Sequence, residues 1–186
     1  MPTHLPIPTP RLVAIPLLLL AVLLAGCGPR QPAPSPVSVS EYTPDPTSSE
    51  ALMYAKAEQT FWGYIEARRK YELTGDYSQF PPEMATYLDT DALERTRMLF
   101  EDGKAGGWHG TAPGVITTRP EWSEKYEDSV ATMAVCEDYR GEAVLNADNN
   151  VVREGTRYSY YAYFRVAGDG LVKRFHISLR GDSLCD

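Results

Sequence analysis

"RYSYYAYFRVAGDGLVKRFHISLR", Arg157 to Arg180, decides the fold. Two runs rich in β-branched and aromatic residues flank Asp169-Gly170. That composition predicts two strands, and Asp-Gly is a favoured two-residue hairpin turn. The two-residue register pairs Gly168 with Leu171, Val166 with Lys173, Phe164 with Phe175 and Ala162 with Ile177. One face then carries Tyr158, Tyr160, Ala162, Phe164 and Val166 beside Phe175, Ile177 and Leu179. A three-residue loop would mix apolar and charged residues on both faces, and register follows the buried face. The outer face carries Arg157, Ser159, Tyr161, Tyr163 and Arg165 beside Arg174, His176, Ser178 and Arg180, with Arg165 opposite Arg174.

Working backwards from this hairpin, strands are expected near residues 108–119, 126–139 and 152–167, with the last near 171–180. Asn146 to Asn150 supplies a turn between the second and third. Before Trp108 the pattern is helical. Thr47-Ser-Ser-Glu50 reads as a capping box, and Tyr54, Ala57, Phe61, Tyr64, Ile65 and Arg68 recur at spacings of three and four. Gly75 is the expected stop of that helix. Pro81-Pro82 opens a short second helix. A third is expected from about Asp91 to Asp102, ended by Gly103, Gly106 and Gly107. The fold class is therefore α+β: about three N-terminal helices, then an antiparallel sheet.

The N-terminus carries an address. Leu12 to Ala25 is apolar except for Pro16, which is shorter than the roughly 20 residues a membrane-crossing helix needs. It suits the apolar core of a signal peptide. Leu24-Ala25-Gly26-Cys27 resembles the bacterial lipobox, which implies cleavage after Gly26 and diacylglycerol on the Cys27 thiol. Several acyl chains anchor a protein stably, at about 0.8 kcal/mol per buried methylene. The organisation expected is a signal peptide over 1–26, an acylated, Pro/Ser-rich stalk over 27–48 and one domain over 49–186. Loss of 1–26 removes Arg11 and leaves 17 basic against 25 acidic residues, a formal charge of −8. That balance, with export, argues against nucleic acid as a partner.

Cys136 and Cys185 are the remaining cysteines. In an oxidising compartment two cysteines in one domain read as a disulfide; two free thiols are the alternative. A metal pair is disfavoured because His109 and His176 have no ligand spacing to either cysteine. Closing a loop of about 50 residues is worth roughly 4 kcal/mol in the chain-entropy model.

The order of helices and sheet resembles the nuclear transport factor two-like fold, in which a curved antiparallel sheet forms a cone closed by helices. Details are similar to exported actinobacterial lipoproteins of that class: Thr74-Gly75-Asp76 after the first helix, Cys136-Glu137-Asp138 late in a central strand, and a final cysteine. The resemblance covers roughly residues 48–186. Enzymatic members, the ketosteroid isomerases and SnoaL-like polyketide cyclases, use an Asp or His inside the cone, so the resemblance also implies a cyclase or isomerase alternative.

The residues do not supply that set. His176 falls on the outer face, His109 lies in "GGWHG", no strand carries an Asp on its apolar face, and Asp138 is expected to be solvated. No ionisable group can be placed inside the cone, and no catalytic residue, metal or cofactor is assigned. No nucleophile elbow, phosphate loop or zinc helix is present. The expectation is a non-catalytic binding or interaction module at the cell membrane. Tyr54, Phe61, Trp62, Tyr158, Tyr160 and Phe164 are the candidate pocket for an amphiphilic small molecule, the plainer reading being that these aromatics simply fill the cone. Arg157, Tyr161, Tyr163, Arg165, Arg174, His176 and Arg180 are the candidate face for a second copy or an envelope protein. The plainer reading is that acidic neighbours such as Glu127 offset this charge while the guanidiniums stack on tyrosines.

Mass spectrometry of the native N-terminus is expected to find acylated Cys27, and Cys27→Ala is expected to release the protein from membranes. An unmodified Cys27 would refute the anchor.

Overall fold

The computed structural model describes residues 43–185. Cys27 and the segments before and after it up to residue 42 lie outside the described residues. Helix α1 (Ser49–Thr74) is capped by Ser48, whose hydroxyl accepts the Ala51 N–H at 3.2 Å. The expected cap, Thr47, is one residue early. Its hydroxyl is taken by Asp45 at 2.6 Å. Gly75 ends the helix as expected, with φ 68° and its N–H on Tyr71 O. A left-handed residue there favours glycine.

After Pro81-Pro82 come α2 (Met84–Tyr87) and α3 (Thr90–Gly106), the latter capped by Asp89. α3 outruns its expected stop. Gly103 is a packing residue inside it, since an added Cβ would lie 2.6 Å from the Tyr77 ring. The helix ends at Gly107, with φ 58°.

The strands are β1 (His109–Gly110), β2 (Val115–Pro120), β3 (Ala131–Asp138), β4 (Ala143–Leu145), β5 (Val151–Glu154), β6 (Arg157–Val166) and β7 (Val172–Leu179). They form two antiparallel sheets in the orders β2-β3-β6-β7 and β1-β4-β5, and neither closes into a barrel. The architecture is α+β. Two expected strands are each split between the sheets: 108–119 into β1 and β2, and 152–167 into β5 and β6. At the second break, Gly155 sits against the carbonyl of Tyr139, where a Cβ would clash. The Asn146–Asn150 turn joins β5 to β4, a strand not anticipated. Asn146 Oδ1 accepts the N–H groups of Asp148 and Asn150.

The last hairpin follows the expected register over half its length. Tyr163 pairs with His176, Ala162 with Ile177 and Tyr160 with Leu179. Near the turn the pairing moves by one: Val166 with Val172, Arg165 with Lys173, Phe164 with Arg174. The loop holds three residues, not two. Ala167 N–H and Leu171 O bond across it, and Gly170 takes φ 79° as its left-handed third residue. A β-bulge opposite Tyr163 and Phe164 restores the register. Parity reasoning assumed an unbroken strand; the bulge turns Arg174 inward and Phe175 outward. Arg174 is buried with its guanidinium 4.0 Å from the Tyr64 ring centroid on α1. It does not stand opposite Arg165 and does not belong to the outer face.

The core lies between α1 and the inner face of the larger sheet. Ala57, Phe61, Tyr64 and Ile65 pack on Met133, Val135, Tyr160, Ala162 and Phe164. Tyr71, Tyr77, Phe80 and Phe100 form an aromatic cluster where α1 meets α3. The outer face is covered too. The 121–130 segment, expected to begin a strand at 126, instead folds over it. Tyr126 stacks on His176 with centroids 4.3 Å apart, and Tyr163 donates to Glu124 at 3.0 Å. Residues after β7 cross to β3, where Cys185 is bonded to Cys136, and Leu184 N–H donates to Ser159 Oγ at 3.1 Å.

Alkylation of the unreduced protein is expected to label neither Cys136 nor Cys185. Replacing either with serine is expected to cost about 2–5 kcal/mol in denaturant unfolding. Full labelling without reductant would contradict the bond.

Candidate functional site

An ionised carboxylate lies on the inner face of β3. Met133, Val135 and Glu137 alternate with Thr132, Ala134 and Cys136, so Glu137 shares its face with the core. It is fully buried. Tyr158 stands directly opposite on β6, Tyr160 one inward step further, and Tyr139 follows β3. From α1, Arg68 arrives on the same stripe as Phe61, Tyr64 and Ile65.

These groups saturate the carboxylate. Glu137 Oε2 accepts from Arg68 Nη2 at 2.8 Å, Tyr139 at 2.7 Å and Tyr158 at 3.1 Å. Oε1 accepts from Tyr160 at 2.6 Å and from Arg68 Nη1 at 3.4 Å. Arg68 Nε faces Glu72 at 3.1 Å, a charge pairing without hydrogen-bond alignment.

Burial alone would push the Glu137 carboxyl up. The Arg68 charge and the donated hydrogen bonds overcome it and hold the group at about 2. Burial, reinforced by Glu137, raises the Tyr158 and Tyr160 phenols, and burial raises that of Tyr139 despite the Arg68 charge beside it. Burial opposes the Arg68 charge, but Glu137 and Glu72 outweigh it and the guanidinium is held protonated more firmly than usual. A general acid or base works best with a pKa near the operating pH and a free path to its proton. Glu137 has neither, so the cluster ties α1 to β3 and β6.

Sequence reasoning placed no ionisable group inside the sheet; Glu137 corrects this. Strand alternation from Met133 and Val135 was the available signal, and Arg68 stood in the apolar repeat of α1. Asp138 is partly exposed and paired with Arg140 at 2.6 Å, as expected for a solvated strand end. The six pocket candidates do not line one cavity. Phe61, Tyr160 and Phe164 are core residues, and Tyr158 and Tyr160 serve Glu137. Tyr54 packs on Trp122, its hydroxyl buried without a hydrogen-bond partner. Trp62 is exposed on the far side of α1, beside a shallow groove of about 550 Å³ with Ile65, Arg69 and Leu73.

The outer-face candidates are engaged within the chain. Arg157 meets Asp182 at 3.4 Å and Arg165 meets Asp89 at 2.5 Å. Arg180 meets Glu124 at 3.3 Å and lies over the Tyr161 ring. Tyr163 is buried, and His176 lies beneath Tyr126. Acidic neighbours and ring stacking thus offset the charge, with Glu124, Asp89 and Asp182 in place of Glu127.

No family model matches the chain. No curated protein matches it either. Among solved structures it is similar to a de novo designed β-sheet protein determined by solution NMR, at 16% identity, covering 73% of this chain and 92% of that one with a TM-score of 0.32, which carries no argument. Among the described residues no helix is long and apolar enough to cross a membrane.

Two measurements check the role of Glu137. A group lowered from 4.5 to about 2 contributes stability that is complete above pH 4.5 and lost as pH falls towards 2, here about 3 kcal/mol. Glu137→Gln is expected to cost about 3–5 kcal/mol, because it removes the nearer and more deeply buried of the two carboxylates that face Arg68, and to flatten that acid limb. An unchanged limb would remove Glu137 as its source.

Proposed function

We propose that the chain is a cell-envelope lipoprotein anchored through Cys27, whose 49–186 domain is a non-catalytic binding module with a cone-like sheet of the nuclear transport factor two-like kind. The state of Glu137 carries this reading. The buried carboxylate on the inner face is ionised, saturated and enclosed, so it neither takes up nor gives a proton at neutral pH. An isomerase or cyclase of the SnoaL-like class needs that service from its inner face.

The surface this reading offers a ligand is the exposed end of the inner face, at Ile177 and Leu179. A second copy or envelope protein docking on the outer face would have to displace the contacts of Asp89, Glu124 and Tyr126.

The full chain in detergent is expected to accelerate isomerisation of a β,γ-unsaturated steroid ketone no more than buffer does. Turnover that disappears in Glu137→Gln, with the variant still folded, would overturn the reading in favour of the enzyme.

A further inference from the structure

The inner face of β7 runs from closed to open. Its residues there are Val172, Arg174 and, past the bulge, Ile177 and Leu179. Arg174 is 8% exposed, Ile177 39% and Leu179 69%. At the closed end the α2–α3 junction lies along the strand. Leu88 forms a parallel bridge to Arg174, and the Asp89 N–H donates to Arg174 O at 3.0 Å. Further along, Arg95 of α3 donates to Phe175 O at 3.2 Å and so borders the same strand. Ile177 and Leu179 thus form an exposed apolar strip on the same face of the strand as a buried cation.

That cation has no counter-ion. Among the described residues Arg174 forms no ion pair, and its Nε is buried with no hydrogen-bond partner. The carboxylates that come near are committed elsewhere. Asp89 is paired with Arg165. Glu137 is filled by Arg68 and three phenols. What Arg174 does have is the Tyr64 face at 4.0 Å, which offsets part of its lost hydration. A buried unpaired charge is costly, and an arriving anion removes that cost.

We propose that this strip binds a monoanionic amphiphile, its carboxylate on Arg174 and its apolar chain along Ile177 and Leu179. The proposal rests on the binding-module reading and names its ligand class. One guanidinium matches one carboxylate and can donate to both oxygens. A dianion would bring an uncompensated charge into apolar surroundings. The chain end of the ligand leaves through the open end, where the apolar side chains are exposed.

Decanoate, with decanol as its uncharged counterpart, tests this on the full chain by calorimetric titration and thermal unfolding. Decanoate is expected to bind saturably and raise Tm, with decanol at least about tenfold weaker. Arg174→Met is expected to lose that preference. Leu179→Glu, at an exposed position, is expected to fold and to weaken decanoate at least about tenfold by placing a like charge at the entrance; it carries the test if Arg174→Met does not fold. Decanoate that does not bind, binds no better than decanol, or binds both variants as it binds the parent overturns the proposal. Those results leave the binding-module reading standing, whereas Glu137-dependent turnover of the steroid ketone would remove that reading instead.

Discussion

A carboxylate sealed from water has to be answered by charge and hydrogen bonds, and the answer given to Glu137 organises this domain. Arg68 comes from α1, Tyr158 and Tyr160 from β6, and Tyr139 from the end of β3. Arg68 fixes α1 against β3, and Tyr158 and Tyr160 fix β6 against β3. A helix packed on a sheet by apolar contacts alone can slide by a turn at modest cost. Here a one-turn slide of α1 would part Arg68 from Glu137, leaving the carboxylate with its three phenols and no cation and Arg68 with Glu72 alone, a cost of several kcal/mol. The register of α1 on the sheet is therefore marked by the contacts of Arg68 with Glu137 and the Tyr139 hydroxyl, with Thr60 donating to Val172 O at 2.9 Å.

The same logic separates the two faces of the larger sheet. The inner face spends its buried carboxylate on structure and keeps a surplus cation at Arg174. The outer face has its charges met by Asp89, Glu124 and Asp182 and its rings covered by Tyr126. The bond between Cys136 and Cys185 holds the chain after β7 across that face. The inner face of β7 is thus the place where an unmet charge and exposed apolar side chains share one strand.

Much of this was legible in the sequence, and the failures have local causes. Gly75 stopped α1 because a left-handed residue was needed there. Cys136 and Cys185 are bonded, the pairing expected when two cysteines share one domain. The hairpin strands and their inner face were readable, but Gly170 at a third loop position and the bulge near Phe175 were not, since alternation counts residues and a bulge adds one. That single residue moved Arg174 from the outside to the core. Glu137 was within reach of the same alternation, two steps after Val135. Alternation alone does not mark it as a buried ion, because partners such as Arg68 lie 69 positions away in the chain. Gly103 failed as a helix stop because its role is to admit Tyr77, a contact no local pattern records.

A double-mutant cycle on Arg68 and Glu137, read by denaturant unfolding, tests the central claim most directly. Arg68→Met leaves Glu137 with three phenols but no cation, Glu137→Leu leaves Arg68 with Glu72 alone, and each is predicted to lose about 3–5 kcal/mol. The double variant removes both charges and is predicted to recover a large part of that loss, giving a coupling of at least about 2 kcal/mol. Losses that simply add would contradict the account, for then Arg68 and Glu137 would be stabilised independently and the register of α1 would rest on something else.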